Sequence, residues 1–353
     1  MRRDGNLYHK IYDFENLYNS YKLAKKGKRY NNDVIRFTRH LERNLITIQN
    51  ELIWHEFEVG KYNEFYVYEP KKRLIKSLPF RDRIVQHSLN TIINPLLDKR
   101  FIYDTYACRA DKGTHAGADR VTYFLRKAKR KWDKVYCLQA DVSKYFYSID
   151  HDILMNIYKT KIKCKDTLQL LDKIIRSDGD GVGIPIGNLT SQLSANLYLN
   201  ELDQFVKHRL KVKFYVRYMD DFVLIHKDKD YLWNVLEEIE AFLHNKLKLH
   251  LNNKTDIFPI KRGLDFLGYR IWPTHRLLRK KSKKKIKRRM IKYEKQYLAG
   301  KLDIKTIQRS LAGWLGHAKF ANTYNLRMFL LDKWEDIIKE AGKKEDLAEI
   351  GVD

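Results

Sequence analysis

Cysteine and proline are scarce in this chain, and it contains no long apolar run. The three cysteines, Cys108, Cys137 and Cys164, lie far apart and form no Cys-x-x-Cys pair, so the sequence predicts neither a zinc site nor a disulfide framework. No apolar run approaches the roughly 18 residues of a membrane-spanning helix. The basic start, Arg2 and Arg3, leads into no hydrophobic signal core. We therefore expect a soluble cytoplasmic protein with no membrane partner.

Acidic residues are strongly outnumbered by basic ones. Lys and Arg total 70 and Asp and Glu total 44, which gives a formal net charge of +26. Such an excess indicates a polyanionic partner, because a protein that neutralises phosphates releases their counterions. A protein that is basic for solubility alone is the alternative. Aromatic residues make up 13% of the chain, which suits stacking on bases, although many of them must belong to the core.

Apolar spacing predicts a series of helices interrupted by a few short strands. Residues 7–57 read as helical, with apolar residues every three to four positions from Val34 to Ile48. Strands are predicted at 66–68 and 74–78, around a turn at 70–72. Further helices are predicted at 83–97, 114–131, 153–159, 168–175, 188–210, 231–247 and, in two pieces, 301–338. Strands that alternate with crossing helices predict an α+β fold.

Two adjacent carboxylates, Asp220 and Asp221, form the most informative motif. They lie between the strand-like runs 212–217 and 222–226, and a tight turn would bring both toward one site. Acids held close together repel each other unless a cation lies between them, and Mg2+ prefers carboxylate oxygens and substrate phosphates. Asp141 ends another apolar run, so three acids on neighbouring strand ends could hold two metals about 3.5–4 Å apart for phosphoryl transfer. An isolated Asp pair is more often a solvated turn or a helix cap.

The order of the motifs around the Asp pair favours the catalytic interpretation. Asp141 is followed five residues later by Phe146 and then by the stretch 183–192, and the Asp pair is followed by 253–255 and 266–269. This ordered set resembles a reverse transcriptase, in which the Asp pair is the catalytic pair and Asp141 the first metal-binding acid. The resemblance covers nearly the whole chain.

A finer resemblance is to the reverse transcriptases of diversity-generating retroelements. It rests on the stretches 79–87, 106–115 and 184–192. Most reverse transcriptases have a Gln-Gly pair where this chain has Ile186-Gly187, and Ser-Pro where it has Ser191-Gln192. Both departures are typical of the diversity-generating group.

The resemblance implies a right-hand polymerase of the α+β class, with fingers and palm built from an antiparallel sheet plus helices, and with a helical thumb. The implied domains are a helical N-terminal extension over 1–60, fingers and palm over 61–272, and a basic helical thumb over 273–353. A solvated basic helix is the alternative for the segment 276–295, which carries twelve Lys or Arg against one acid.

The implied activity is RNA-directed DNA polymerisation that copies a template-repeat RNA into adenine-mutagenised cDNA, which diversifies a target gene by mutagenic retrohoming. The implied partners are the template-repeat RNA, the RNA/cDNA duplex, dNTPs and a small basic accessory variability protein that is oligomeric. A bacterial, archaeal or phage-encoded protein fits this group.

The resemblance assigns the chemistry to a small set of residues. Metal binding, by two Mg2+ ions or by Mn2+ as a substitute, falls to Asp141, Val142, Asp220 and Asp221. Lys254 matches the position of a candidate general acid for pyrophosphate, and an ordinary surface lysine is the alternative.

A larger set is expected near the incoming nucleotide. Its members are Arg73, Lys76, Arg81, Arg83, Ser143, Tyr145, Phe146, Ile186, Gly187 and Gln192. Phe146 stands at the position of the steric gate that excludes a 2′-hydroxyl, with Tyr145 the neighbour most easily confused with it and an ordinary core Phe the alternative. Any of the four basic residues could contact the triphosphate through charged donors, and Arg83 beside Asp82 also fits a structural ion pair.

Two further sets concern the template–primer duplex. Phe266, Leu267 and Gly268 resemble the primer grip, although a plain turn after a strand is equally consistent. The basic residues expected on nucleic acid are Arg279, Lys280, Lys281, Lys283, Lys284, Lys285, Lys287, Arg288 and Arg289.

Other functions remain open on the same fold. A retron enzyme would carry a Val-Thr-Gly motif late in the chain, which is missing from this sequence. A group II intron protein would need a maturase region, and we expect little room for one after Glu340. A non-catalytic RNA-binding or antiphage protein is a third possibility, but it would have no use for three clustered acids facing a polyanion.

Overall fold

The computed structural model describes residues 3–68, 72–179 and 181–349. In these ranges the helices are α1 (Tyr8–Ile11), α2 (Phe14–Lys25), α3 (Asn32–Arg39), α4 (Leu41–Ile53), α5 (Phe80–Asp98), α6 (Thr114–Lys131), α7 (His151–Lys161), α8 (Lys165–Arg176), α9 (Leu189–Gln204), α10 (Lys229–Leu247), α11 (Lys280–Leu298), α12 (Ile304–Ala318) and α13 (Tyr324–Glu349). The strands are β1 (Asn63–Val67), β2 (Arg73–Ser77), β3 (Tyr136–Asp141), β4 (Tyr215–Tyr218), β5 (Asp221–His226), β6 (Asp256–Pro259), β7 (Leu264–Phe266), β8 (Tyr269–Ile271) and β9 (Arg276–Leu278). Most of the predicted turn at 70–72 lies outside the described residues.

The chain divides into two compact units. The first comprises the residues up to Gly113 together with Leu138–Leu224 and Lys229–Asp256. The second comprises Thr114–Cys137, Ile225–Asp228 and the residues from Ile257 onward. Strands β3, β5 and β6 each contribute residues to both units. The predicted division into an extension, fingers with palm, and thumb stays a prediction.

A four-stranded sheet of order β4-β5-β3-β6 carries the Asp motif. Strands β4 and β5 form an antiparallel hairpin in which Tyr218 faces Asp221. Three consecutive residues of β5, Phe222 to Leu224, are all buried, so both faces of the strand are covered, because neighbouring side chains point to opposite faces. Asp141 is the last residue of β3 and Asp221 the first of β5, so these two acids lie on neighbouring strands.

The helices of the first unit follow the predicted periodicity, with local differences. Helix α5 packs against α2 and α9, and it continues through Pro95 to Asp98. The apolar stripe from Val34 to Ile48 belongs to two helices, because His40 (φ −126°, ψ 48°) leaves the helical region between α3 and α4. Helix α9 ends at Gln204, and a π-helical turn continues it over Phe205–Arg209.

The second unit contains a smaller sheet and the basic segment. The sheet has the order β7-β8-β9 and is antiparallel throughout. The basic segment begins in β9 and continues in α11, so its first residues form a strand where a helix was expected. The core between α11, α12 and α13 contains Ile286, Met290, Leu311, Leu330 and Ile337. Among the described residues, no helix is long and apolar enough to cross a membrane.

Candidate active site

The turn that carries the two adjacent acids is held in an unusual backbone conformation. Met219 lies between β4 and Asp220 with φ +56°, in the left-handed region where a non-glycine residue is strained by about 1–2 kcal/mol. The carbonyl oxygen of Met219 accepts a hydrogen bond of 2.8 Å from Nη1 of Arg217. Arg217 is itself a β4 residue, so the strand that leads into the turn also fixes its tip.

A fully buried ion pair holds Arg217. Its Nε and Nη2 donate to the two carboxylate oxygens of Asp203 at 2.7 and 2.6 Å, and both side chains are 0% exposed. Tyr215 donates its hydroxyl to the same carboxylate at 2.8 Å, and Nη1 of Arg217 reaches Oδ1 of Asn196 at 3.3 Å. Burial alone would lower the pKa of Arg217, but the charge and hydrogen bonds of Asp203 raise it above its ordinary value. The guanidinium therefore stays charged inside the protein.

Sequence reasoning missed this ion pair. Asp203 lies on α9 and Arg217 on β4, and the residues themselves give no signal that they pair. One clue was available, since Asn196, Asn200 and Asp203 recur at helical spacing; the structure shows that all three are buried. Polar residues on the inner face of a helix require hydrogen-bond partners inside the protein. Arg217 is such a partner for Asn196 and Asp203.

The electrostatics of Asp220 link it to Asp141. Burial is the main cause that raises the pKa of the Asp220 carboxyl, and the negative charge of Asp141 raises it further. The positive charges of Arg73 and Arg217 oppose this shift. Ionised Asp141 and Asp220 thus repel each other in a partly buried setting, which a divalent cation between them would relieve.

The fold brings Asp141 and Asp220 near each other, but it does not by itself assemble a complete metal-binding site. Among the described residues, no group of three or more His, Cys, Asp or Glu side chains is arranged to hold a metal ion. Asp220 and Asp221 are half-buried, and Val142 is buried beside Asp141. The donor set fits Mg2+ chemically, because it consists of hard carboxylate oxygens. The ligand roles of these residues stay predictions.

A second backbone segment fixes Asp141. The stretch after β3 pairs with residues 250–252: Val142 bridges Leu251, and Asn252 N donates to the carbonyl of Asp141 at 2.8 Å. The side chain of Asn252 also donates to Oδ2 of Asp141 at 3.3 Å and accepts from the backbone N–H of Lys254 at 3.2 Å. Asn252 therefore connects Asp141 to the exposed turn that carries Lys254. This residue was not among the candidates, although it directly precedes the motif at 253–255.

Tyr145 and Phe146, the two candidates for the steric gate, differ in their surroundings. Tyr145 is buried, its hydroxyl donates to the carbonyl of Ala195 at 2.5 Å, and burial raises its pKa well above the usual value. Phe146 lies beside it in the 3-10 turn Tyr145–Tyr147 and is partly exposed. Of these two rings, that of Phe146 is therefore the one accessible to a ligand. Ser143 precedes them and donates its N–H to His250 at 2.9 Å.

Two of the four basic candidates form ion pairs with acidic side chains. Arg81 pairs with Glu51 and with Asp82 at 3.3 Å, and its guanidinium lies over the ring of Phe57. Asp82 therefore pairs with Arg81, whereas an ion pair of Asp82 with Arg83 was the alternative offered by the sequence. Lys76 contacts Asp178 at 2.5 Å and Glu64 at 3.2 Å.

Arg83 and Arg73 differ from the other two. Arg83 donates to Ser77 and, at 2.9 Å, to the carbonyl of Leu78, and burial lowers its pKa. Arg73 is exposed at the start of β2, and its charge acts on Asp220. Among the four, the structure relates Arg73 most directly to the candidate metal site.

The loop before α9 depends on a glycine. Gly187 has φ +135°, and a Cβ at this position would lie 2.5 Å from the carbonyl oxygen of Lys76. The preceding carbonyl, that of Ile186, accepts a hydrogen bond from Lys76 N at 3.0 Å. Ile186, half-buried, is thus attached to β2, and Gln192 is exposed in the first turn of α9, where its Oε1 is 3.4 Å from Sγ of Cys108.

The candidate primer grip is a two-residue hairpin turn in the second unit. Leu267 and Gly268 connect β7 to β8 with φ of 52° and 88°, which is the pattern of a turn with two positive φ angles. Phe266 is 1% exposed and belongs to the core. A Cβ on Gly268 would lie 3.6 Å from the ring of His317, so the hairpin packs closely on α12.

The basic candidates of the second unit lie on α11, with Arg279 as the residue that directly precedes its first turn. Ile286 and Met290, four residues apart, form the buried side of α11. The other side carries the lysines and arginines: Arg279, Lys280, Lys281, Lys284, Lys285, Lys287 and Arg288 are exposed, and Lys283 and Arg289 are partly exposed. Lys283, Lys284 and Lys287 also line an open cavity of about 910 Å³ beside the start of α13. Helix α11 thus presents a positively charged surface on the side opposite its buried Ile286 and Met290.

Comparison with known proteins identifies the fold. In structure, the chain resembles the telomerase of Candida tropicalis truncated from its C-terminal domain, with a TM-score of 0.50, 13% sequence identity, and coverage of 68% of this chain and 60% of that one. The comparison shows a shared fold, so the predicted α+β polymerase class is confirmed.

Sequence comparison agrees with the structural comparison. Protein YkfC of Escherichia coli (strain K12) is 27% identical over 289 residues, which cover 67% of this chain and 73% of that protein. The group II intron-encoded protein LtrA of Lactococcus lactis subsp. cremoris is 26% identical over 283 residues, covering 58% of this chain. The chain spans 46% of the length of LtrA. The family model described as reverse transcriptase (RNA-dependent DNA polymerase) matches residues 60–271. The chain therefore belongs to the reverse transcriptase family of RNA-directed DNA polymerases.

Proposed function

We propose that this chain is the reverse transcriptase of a diversity-generating retroelement, which copies a template-repeat RNA into adenine-mutagenised cDNA for mutagenic retrohoming. The observation that supports the subfamily assignment is the sequence of the loop before α9. It has Ile186 and Gly187 where most reverse transcriptases have Gln-Gly, and it has Gln192 after Ser191. The attachment of this loop to β2 through the Ile186 carbonyl supports a role near the nucleotide.

In the proposed reaction, a primer 3′-hydroxyl attacks the α-phosphate of a deoxynucleoside triphosphate and pyrophosphate leaves. Asp141, Asp220 and Asp221, with Val142, would hold two Mg2+ ions or Mn2+. When bound there, the metals lower the pKa of the hydroxyl and neutralise the triphosphate. The repulsion between Asp141 and Asp220 supports this assignment, because bound cations would remove it.

Other residues of the chain position the reactants. Arg73 supplies positive charge on the Asp220 side, which suits a triphosphate. The partly exposed ring of Phe146 would contact the sugar and exclude a 2′-hydroxyl, whereas the buried Tyr145 supports it from the core. Lys254, exposed on the turn joined to Asp141 through Asn252, could donate a proton to leaving pyrophosphate.

The partners follow from charge and from the two candidate duplex contacts. A net charge of +26 suits the template-repeat RNA and the RNA/cDNA duplex. The hairpin at Leu267 and Gly268 would contact the primer, and the exposed lysines of α11 would contact the duplex backbone. A small basic accessory variability protein, oligomeric in this group, is the proposed protein partner.

Ile186 is the proposed source of part of the infidelity. An amide side chain at this position could hydrogen-bond near the nucleotide, and Ile cannot. The missing bond is worth about 1 kcal/mol, which would lower discrimination several-fold. Ile186→Gln should therefore reduce misincorporation opposite template adenine, and an unchanged error spectrum would remove Ile186 from the explanation.

A group II intron type of reverse transcriptase is the second candidate, with a retron type beside it. The similarity to LtrA favours the intron type. The absence of a Val-Thr-Gly motif disfavours the retron type. A non-catalytic RNA-binding protein on this fold is the remaining alternative.

The first experiment measures Mg2+-dependent dNTP incorporation on an RNA template and sequences the products. The double variant Asp220→Ala/Asp221→Ala is compared with Asp133→Ala, a matched loss of acid at a side chain that is 95% exposed. Activity that is lost only in the double variant, with errors concentrated at template adenines, supports both chemistry and subfamily. Evenly spread errors would favour the intron or retron type. No incorporation, even with cognate RNA and accessory protein, would favour the binding protein.

A further inference from the structure

The hydroxyl of Tyr269 connects the candidate primer hairpin to two helices of the second unit. Tyr269 is the first residue of β8, directly after the turn at Leu267 and Gly268, and it is 0% exposed. Its hydroxyl oxygen lies 3.0 Å from Nδ1 of His115 in α6 and 3.0 Å from Nδ1 of His317 in α12. The carbonyl oxygen of His317 is 3.1 Å away. Three hydrogen-bond partners therefore share one buried hydroxyl.

The hydrogen-bonding capacity of a hydroxyl decides how these contacts are made. A hydroxyl donates one hydrogen and accepts two, and burial raises the pKa of Tyr269 to about 12, so the hydroxyl keeps its hydrogen at neutral pH. Tyr269 must donate to the carbonyl of His317, because any other choice leaves two acceptor oxygens 3.1 Å apart with no hydrogen between them. Both Nδ1 atoms then donate to the hydroxyl. His115 and His317 therefore each carry a hydrogen on Nδ1, and the hydroxyl is fully bonded.

A positive charge is unfavourable on the ring of His317. The centroids of the two imidazole rings are 5.6 Å apart, and the ring of His115 lies flat on that of Phe320 at 3.8 Å. The guanidinium of Arg276 lies 5.3 Å from the centroid of the Tyr269 ring. Burial and then the charge of His115 lower the pKa of His317. The ring of His317 is therefore neutral at neutral pH, with Nδ1 as its donor.

Charged groups on the neighbouring elements have partners of their own. Arg276 of β9 pairs with Asp119 of α6 at 2.7 Å. Arg279 and Asp265 lie 3.7 Å apart beside the hairpin, and Lys319, which follows α12, lies over an aromatic ring at 5.5 Å. Carboxylate, guanidinium and ammonium groups ordinarily do not titrate between about pH 5 and 8, whereas histidine does. A proton that the cluster takes up in this range therefore goes to an imidazole.

The ring of His317 also borders the turn of the hairpin. Its Nε2 and Cε1 atoms lie 3.6 and 3.7 Å from the position that a Cβ on Gly268 would take. The N–H of Arg279 donates to the carbonyl of Gly268 at 3.3 Å. Leu267 has φ 52° in this turn, and a strained backbone of this kind persists only where surrounding contacts determine it. The contact with His317 is one of those contacts.

We propose that His317 is a positioning residue of the primer hairpin: the Tyr269 hydroxyl fixes its ring, and the ring holds the turn in the conformation that contacts the primer strand. His115 completes the arrangement, because it donates to the second acceptor site of the hydroxyl. The proposal deepens the proposed function and rests on it for the assignment of the hairpin to the primer. It makes the grip on the primer depend on pH.

Protonation of His317 weakens this arrangement. The proton enters at Nε2, because Nδ1 already carries its hydrogen. The new charge then lies against the turn, 5.6 Å from the second imidazole ring and beside Arg276. Because the pKa of His317 is lowered, the neutral ring prevails above that pKa, and its support is lost as the pH falls through it. The KM for the primer–template should therefore rise in acid.

The first test determines the tautomers directly. The full chain is labelled with 15N in the rings of its 12 histidines, and the signals of His115 and His317 are identified by their loss in His115→Asn and His317→Asn. We expect the Nδ1–H tautomer for both rings at neutral pH. The Nε2–H tautomer on either ring would overturn the proposal, because the hydroxyl of Tyr269 would then lack one of its donors.

The second test measures binding and extension of an RNA template annealed to a DNA primer. The Kd and KM for this duplex, and kcat at saturating dNTP, are followed from about pH 5 to 8. Tyr269→Phe removes the shared hydroxyl, and His317→Asn keeps a neutral donor that cannot titrate. His208→Asn, at an exposed position in the first unit, is the matched control. Thermal stability is recorded for each variant.

We expect Tyr269→Phe to raise the Kd and KM for the duplex about fivefold at neutral pH, with kcat preserved. In wild type and in His208→Asn, KM should rise as the pH falls through the pKa of His317, whereas in His317→Asn it should vary much less. A loss of stability and kcat with an unchanged KM and pH profile would show a purely structural role and overturn the proposal.

The outcome is separable from that of the proposed function. Incorporation by wild type, with unchanged Kd and KM for the duplex in Tyr269→Phe and His317→Asn, rejects the positioning role alone. Duplex binding that responds to Tyr269→Phe and to pH, in a protein that never incorporates dNTPs, supports the positioning role and rejects the polymerase function. Duplex binding that responds to neither overturns the positioning role, whether or not dNTPs are incorporated.

Discussion

Removal of the buried ion pair behind the Asp turn should separate stability from activity. Asp203 accepts two charged hydrogen bonds from Arg217 and one from Tyr215. Asp203→Ala alone leaves a buried guanidinium without its partner, which costs about 3–5 kcal/mol. This is a large share of the roughly 5–15 kcal/mol that stabilises a folded domain. Lost activity in such a variant would therefore be uninformative.

A triple variant avoids this difficulty. Asp203→Leu, Tyr215→Phe and Arg217→Met together replace the polar cluster with apolar side chains of similar size, which is often neutral or stabilising. The unfolding free energy should stay within about 2 kcal/mol of wild type. The carbonyl of Met219 nevertheless loses its donor, and the left-handed turn is free to relax. A displaced Asp220 should lower kcat about tenfold to a hundredfold.

The assay combines urea denaturation with single-nucleotide incorporation at several Mg2+ concentrations. Tyr215→Phe alone is the matched control, because it keeps the ion pair; we expect a loss of about 1 kcal/mol in stability and an unchanged kcat. A folded triple variant with wild-type kcat would refute the claim that Arg217 positions the turn. Failure of the triple variant to fold would refute the claim that packing can replace the ion pair.

Three further predictions concern the candidate site. Phe146→Ala should raise the incorporation of ribonucleotides while Tyr145→Phe should not, as measured by the ratio of kcat/KM for rNTP and dNTP; equal effects would contradict the assignment of the gate. Because burial and then Asp141 raise the pKa of Asp220, its ionised form destabilises the folded protein above that pKa, and the penalty disappears as the pH falls through it. Asp220→Asn should therefore raise the denaturation midpoint in EDTA at neutral pH but not in acid, and a lower midpoint at neutral pH would contradict this. Asn252→Ala should raise the Mg2+ concentration needed for half-maximal activity, because Asp141 loses a donor; an unchanged requirement would show that the contact is incidental.

Local patterns predicted the elements of the candidate site well. The apolar runs before Asp141 and around the Asp pair are strands, and they are neighbours in one sheet. Helix α6 has the predicted limits, Thr114 and Lys131. These features depend on the spacing of nearby residues, which a sequence displays directly.

Contacts between distant segments could not be predicted in the same way. The break at His40 was missed because apolar periodicity continues across a single non-helical residue. The four basic residues before the palm look alike in sequence, and only the positions of Glu51, Asp82 and Asp178 separate Arg81 and Lys76 from Arg73. Partners of this kind depend on the tertiary fold.

The candidate site thus combines groups that destabilise the fold with groups that compensate for them. Met219 is strained and Asp220 is repelled by Asp141, whereas the ion pair behind them is fully buried and fully bonded. Strain of this kind persists only where surrounding structure determines it. Substitution of Asp220 should therefore stabilise the protein and abolish activity, and substitution of Asp203 alone should destabilise it and lower activity. The sign of the stability change then distinguishes a residue that performs the chemistry from a residue that holds it in place.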